Sequence, residues 1–172
     1  MTNKLKYFIG NWKMFGDFSS IKIINKLNKF YSKFKKIHYK NKIILCVPYT
    51  LIHFFKEKNK SKHIYFGAQD CHQHQTNGPF TGSISASMIK KVGAQYVILG
   101  HSENRSSGDT NHKIRDKIKS ALNQKLRIIF CIGETFKERK EKKTISVLRK
   151  QIKSSLEKKF MKLKVLQMIV LP

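Results

Sequence analysis

Tyr96-Val97-Ile98-Leu99-Gly100-His101-Ser102-Glu103 is the stretch around which the rest of the chain is organised. Four apolar residues, two of them β-branched, predict a short buried strand, and Gly100 permits a sharp turn at its end. His101 is thereby placed at the C-terminal end of a strand. Ser102 and Glu103 stand where a helix can begin, so the imidazole is expected to face backbone N–H groups and the positive end of a helix dipole. A neutral ring in that position can donate a hydrogen bond to a substrate oxygen as it gains negative charge. A histidine that merely caps a loop would be written the same way, so the neighbouring segments have to decide.

Moving outward, the chain alternates between two hydrophobic periods. Tyr7, Phe8 and Ile9 read as a first strand, ending in Gly10-Asn11-Trp12-Lys13. Asp17, Ser19 or Ser20 can cap the helix that follows. In it Phe18, Ile21, Ile24, Leu27, Phe30 and Phe34 recur at three- and four-residue spacing and are expected on one face. Residues 43–47 form a second strand stopped by Pro48, 51–58 a short helix, and 64–69 a third strand. Residues 85–91 make the next helix, with Gly93 as its C-cap. Beyond His101, Asp109 or Thr110 caps a helix carrying Ile114, Ile118 and Leu122. A fifth strand over 128–132 precedes a lysine-studded helix opened by Gly133-Glu134-Thr135, and the apolar run 165–171 reads as a sixth strand.

Between the third strand and the next helix lies a long polar loop, residues 70–83. A loop of that length in a compact domain points to function or an interface. Cys71, His72 and His74 are soft metal ligands by type, but no second cluster follows at zinc-like spacing, and no metal site is predicted. Three widely separated cysteines, Cys46, Cys71 and Cys131, fit reduced thiols in a cytoplasm. No apolar run approaches a membrane span or a signal-peptide core, so a soluble, cytoplasmic protein is expected.

The formal charge of +26 raises the question of nucleic acid. Its 36 basic residues are 31 Lys and five Arg. Base-edge readout leans on arginine, and no nucleic-acid-binding motif is present. Most lysines fall on the polar faces of expected helices, at 29–42, 56–62 and 137–143. A solvated surface is the reading, with some attraction for anions.

Six strands separated by five helical segments imply right-handed crossovers and a parallel sheet within one domain spanning 1–172. Asn11, Lys13, His101 and Cys131 all fall at or just after strand C-termini, the ligand-binding edge of parallel α/β folds. Periodicity alone leaves barrel and doubly wound sheet both open.

Several strings settle that choice by resemblance: Gly10-Asn11-Trp12-Lys13-Met14, Gly67-Ala68-Gln69, Phe80-Thr81-Gly82, Tyr96 to Glu103, and Cys131-Ile132-Gly133-Glu134-Thr135. In order and spacing the chain resembles the triosephosphate isomerase family. The resemblance implies an α/β (β/α)8 barrel, here incomplete with about six strands and five helices. It implies interconversion of dihydroxyacetone phosphate and glyceraldehyde 3-phosphate, without metal or organic cofactor. By it, His101 is the catalytic electrophile, and Lys13 supplies positive charge to the substrate phosphate and the developing enediolate. Asn11 orients the substrate, and Glu103 supports Lys13 or serves as a structural ion pair. The family's neutral histidine is itself a standard case of dipole tuning, so the argument from Gly100-His101 agrees with it and is not independent of it. The loop around residues 75–82 implies a homodimer, with Thr81 near the partner's site.

The chain also departs from the pattern. Phe15 stands where the family usually has Asn, and Asn104 where the first of two Arg is usual, leaving Arg105. A barrel of this type takes about 250 residues, about 200 at the smallest. The family's catalytic Glu belongs to a Tyr-Glu-Pro string on strand six. With Pro172 as anchor, Val170-Leu171-Pro172 stands there, and Leu171 cannot take a proton. No catalytic base is assigned, little activity is expected of this polypeptide alone, and a noncatalytic remnant or interaction protein is the alternative reading.

Overall fold

Short runs rich in Ile, Val, Leu and Phe give the strands; helices with one apolar stripe cover them. The computed structural model describes residues 5–33 and 41–157. Five strands, β1 (Lys6–Asn11), β2 (Asn41–Cys46), β3 (Ile64–Ala68), β4 (Tyr96–Leu99) and β5 (Arg127–Phe130), form one parallel sheet in the order β1-β2-β3-β4-β5. The helices are α1 (Ile21–Lys33), α2 (Tyr49–Lys58), α3 (Ala86–Lys91), α4 (Ser102–Ser106), α5 (Asn111–Asn123), α6 (Phe136–Lys140) and α7 (Thr144–Ser155).

Two features of this sheet distinguish a barrel from a doubly wound fold. Spatial order equals chain order, so the winding never reverses and there is no switch point. The helices also share one side. Leu45, Val47, Phe66, Val97, Leu99, Ile128 and Phe130 pack with Ile24, Ile52, Phe55, Ile89, Ile114, Ile118 and Leu156 in the larger core. The opposite faces of the strands carry Ile44, Cys46, Tyr96, Ile98, Ile129 and Cys131, with Tyr7, Ile9 and Tyr65 against them, and among the described residues no helical one joins this cluster. That second face is the inner wall of a half-barrel. With a side-chain period of two along each strand, the registers Ile9↔Ile44, Ile44↔Tyr65, Tyr96↔Arg127 and Ile98↔Ile129 place these residues on one wall.

The expected caps sort themselves out. Thr110 opens α5 by accepting from the N–H of Lys113, Ser85 opens α3 by accepting from Met88, and Thr135 forms a reciprocal capping box with Glu138. Asp17 caps a 3-10 turn (Phe18–Ser20) rather than α1 itself. That turn takes Phe18 out of the helix, and successive three-residue steps drift around α1, so Ile24 is buried and Ile21 and Leu27 pack on the core while Phe18 and Phe30 are exposed. Phe34 and the sixth strand read at 165–171 lie outside the described residues. Helical segments outnumber the five expected because α4 occupies the turn after β4 and because the chain breaks between α6 and α7, where Lys142 takes a positive φ of 56°. The lysine reading over 29–42 is corrected at Lys42, which belongs to β2 and the inner wall. Lys117 on α5, outside the runs read from the sequence, is buried. Among the described residues no helix is long and apolar enough to cross a membrane.

Candidate active site

A cavity of about 920 Å³ opens at the C-terminal ends of the strands, with Asn11, Lys13, His101, Cys131, Glu134 and Gln151 on its walls. The structure therefore brings together Asn11, Lys13 and His101, which the sequence singled out separately.

Lys13 follows β1 in a left-handed conformation, φ 52°, unusual for a residue with a Cβ. Such a conformation persists where the surroundings over-determine it, and here both of its peptide groups are held. Its N–H donates to Asn11 Oδ1 at 3.0 Å, and its carbonyl accepts from Gln69 Nε2 at 2.7 Å. One residue earlier, the Trp12 N–H donates to the Cys46 carbonyl at 2.9 Å, while the indole packs edge-on against Phe55. Gln69 also reaches Asn11 Oδ1 and the Cys46 carbonyl, each at 3.2 Å. Asn11 Oδ1 thus accepts twice, and the Asn11 N–H₂ group has no hydrogen-bond partner among the described residues. The Lys13 ammonium meets Glu103 Oε1 at 2.7 Å, and this hydrogen bond holds the Glu103 carboxyl below the usual range.

His101 is the N-cap of α4. Its Nδ1 accepts from the Glu103 N–H at 3.3 Å and lies 3.5 Å from Glu103 Oε2. The directed N–H contact makes Nδ1 the acceptor, so a neutral ring carries its proton on Nε2. Gly100 has φ 79°, and a Cβ there would lie 2.8 Å from the Cys131 carbonyl oxygen. Arg105 fixes this corner from below. Its Nε donates to the Gly100 carbonyl at 2.8 Å, its Nη2 to the Cys131 carbonyl at 3.4 Å and its Nη1 to Asn111 Oδ1 at 2.7 Å.

Every carboxylate near the mouth is already engaged. Glu134 is buried, and its Oε1 accepts from Arg139 Nε at 2.7 Å and Thr144 Oγ1 at 3.2 Å, contacts that hold its pKa down; Oε2 is buried without a hydrogen-bond partner among the described residues. Glu138 accepts the Thr135 N–H in its capping box and is likewise lowered. Burial pushes the Cys131 thiol up to about 11, so it stays protonated near neutrality. Cys71 is buried and pushed up to about 12, and among the described residues no group of three His, Cys, Asp or Glu could hold a metal.

Thr81 does not line this cavity; it sits exposed in loop 70–83. The loop is internally packed by Phe80 against the rings of His72 and His74, at 4.5 and 5.0 Å. Sequence reasoning passed over Gln69, Arg105 and Gln151 as working residues. Gln151, on α7, pairs with both backbone groups of Gly133 at 3.0 and 2.7 Å. A polar residue one step past a strand, as Gln69 is, was the one signal available; Gln151 meets Gly133 only through the tertiary fold.

A singly wound α/β half-barrel with a lysine, an asparagine and a histidine around a cavity at the C-terminal mouth defines a (β/α)-barrel protein. Over residues 6–170 the sequence matches the family described as triosephosphate isomerase, and the chain belongs to that family. It is 42% identical over 116 residues to the triosephosphate isomerase of Alkaliphilus metalliredigens, covering 67% of this chain and 46% of that protein. With the enzyme of Saccharomyces cerevisiae it shares 39% identity over 154 residues, 88% of this chain and 60% of that one. The crystal structure of triosephosphate isomerase from Bartonella henselae superimposes with a TM-score of 0.83 at 32% identity, covering 96% of this chain and 67% of that chain. The chain thus spans about three-fifths of the length of most curated relatives it matches.

Proposed function

We propose that this chain carries the electrophile and the cationic grip of a triose-phosphate isomerase site, acting on dihydroxyacetone phosphate and glyceraldehyde 3-phosphate in glycolysis and gluconeogenesis. The observation that carries the reading is the convergence of Asn11, Lys13 and His101 on one cavity in a member of this family. Lys13 meets the substrate's negative charge, Asn11 donates to a substrate oxygen, and His101 Nε2–H donates to the carbonyl oxygen as it becomes an enediolate. Glu103 holds the Lys13 side chain across the mouth. Thr81 reaches toward the partner's mouth in a homodimer, residues 1–172 act as one partial barrel domain in the cytoplasm, and the chemistry needs no metal or organic cofactor.

Proton transfer between adjacent carbons also needs a base beside the carbon. General-base help is worth roughly 10²- to 10⁴-fold. Glu103, Glu134 and Glu138, the carboxylates at the mouth among the described residues, all have lowered pKa values and standing partners. On this reading the 172-residue polypeptide binds triose phosphate and turns it over poorly. Titration with dihydroxyacetone phosphate, followed by the NMR signals of the His101 ring, tests the binding. A saturable shift that Lys13→Met weakens is expected; the same shift in Lys13→Met, or none in either protein, would overturn the reading.

A further inference from the structure

The inner wall ends, opposite the mouth, in a group of side chains that the isomerase chemistry does not use. Tyr7, Lys42, Tyr65, Tyr96 and Arg127 are each the first or second residue of their strands. The pairings Tyr7↔Lys42 and Tyr96↔Arg127, and the two-residue step from Lys42 to Ile44, which pairs with Tyr65, put all five on the inward face.

Two cations share this end. The Lys42 ammonium lies 5.9 Å from the Tyr7 ring centre and 5.4 Å from that of Tyr65. Arg127 Nη1 donates to the Tyr96 hydroxyl at 2.9 Å, and its guanidinium lies 5.7 Å from the same ring. Neither pairs with a carboxylate among the described residues. Burial and the charge of Arg127 lower the pKa of Lys42, with no acid opposing them. The hydroxyls of Tyr7 and Tyr65 have no hydrogen-bond partner among the described residues, and Tyr96, having accepted from Arg127, still has its O–H to donate.

The site is therefore rich in donors and positive charge, and it is open, with Arg127 exposed and Tyr7, Lys42 and Tyr65 half-buried. Arginine supplies a planar fork, lysine a point charge and tyrosine an O–H donor, a set that matches a tetrahedral oxyanion better than a neutral ligand.

We propose that the N-terminal end of the inner wall is a second anion site, in which Lys42, Arg127 and the hydroxyls of Tyr7 and Tyr65 hold a small multivalent oxyanion of the phosphate class. It is independent of the mouth. Four residues of strand separate the two ends, about 13 Å at ~3.3 Å per residue.

Inorganic pyrophosphate, titrated into the intact chain at constant ionic strength, tests this through the NMR signals of the tyrosine rings. Saturable shifts of Tyr7, Tyr65 and Tyr96 are expected, retained in Lys13→Gln and weakened roughly tenfold or more in Arg127→Gln and in Lys42→Gln. Arg127→Lys, which keeps the charge, should recover part of the affinity. If Arg127→Gln does not fold, Lys42→Gln carries the same expectation. Shifts reproduced by potassium chloride, unchanged in the Lys42 and Arg127 variants, or lost only in Lys13→Gln would overturn the proposal.

Discussion

Lys13 and Lys117 each hold a carboxylate oxygen at 2.7 Å, yet the two pairs serve opposite ends of the fold's needs. At the mouth the Lys13 and Glu103 side chains are 50% and 59% exposed, and water screens their attraction. Behind the sheet, Lys117 is 5% exposed and bridges Asp109, 4% exposed, and Asp70, 27% exposed. Asp70 begins loop 70–83 and Asp109 immediately precedes the cap of α5, so this ammonium ties two loops to one helix. The comparison separates two uses of the same chemistry. At the mouth geometry is imposed by the backbone and by Gln69, and the Lys13 charge is held only by an exposed, screened pair; behind the sheet the charges themselves set the geometry.

Breaking the buried cluster should have the largest effect. Lys117→Met strips Asp70 of its cation and leaves Asp109 only the part-exposed Lys113, 3.2 Å from its Oδ1, and losing one partner of a buried pair costs about 3–5 kcal/mol. Urea unfolding of the variant should show it; a change near zero would erase the contrast with Lys13. The pH dependence has a definite sign. Burial lowers Lys117, but its bonds to Asp109 and Asp70 outweigh that and leave it raised. Asp70 moves up because burial exceeds the pull of Lys117 and Asp109 adds a like charge. Lys117 faces two opposite charges, so it is the better gauge of the cluster. Its contribution is fully present below its unfolded pKa and is lost as pH rises through the raised folded value. Stability measured on the alkaline side should fall in the parent chain and fall less in Lys117→Met.

A smaller effect is expected at the corner that carries His101. Gly100→Ala forces a Cβ to 2.8 Å from the Cys131 carbonyl and a side chain onto φ 79°, strain of about 1–3 kcal/mol. Because the corner positions His101, triose phosphate binding should weaken along with stability; lost stability with intact binding would show that His101 is held elsewhere. Smallest of all is Glu103→Gln. Its carboxylate is exposed, and the unfolding midpoint should not move measurably. The Glu103 pKa, lowered first by the Lys13 hydrogen bond, means that the pair persists above the unfolded value and dissolves as pH falls through the folded one. An NMR titration of the Glu103 side chain should return to its ordinary value in Lys13→Met; a lowered value there would assign the shift to another neighbour.

The contrast also explains what could be read from the sequence. Strands announced themselves as apolar runs, and Gly100-His101 and Asn11-Trp12-Lys13 stood at their ends, because a turn after a buried strand needs particular local chemistry. Singly wound order was not in the periodicity; only the family resemblance chose the barrel. Lys42 was read as a surface lysine and Lys117 was not singled out, since nothing local distinguishes a lysine that meets Asp70 across 47 residues from one that meets water. Gln69, Arg105 and Gln151 were missed for the same reason: each acts on backbone groups that the fold brings to it. Phe18 and Phe30 erred the other way: Phe18 lies in a 3-10 turn, and repeated three-residue steps carry Phe30 off the buried face of α1.

The central claim is that the mouth holds an electrophile and a cation without a free base among the residues described. A coupled assay of the purified 172-residue chain with glyceraldehyde 3-phosphate, run beside His101→Gln to exclude host enzyme, tests it most directly. The account predicts turnover indistinguishable from the His101→Gln control; robust turnover that disappears in the control would contradict it and require a base among the groups assigned here to other partners.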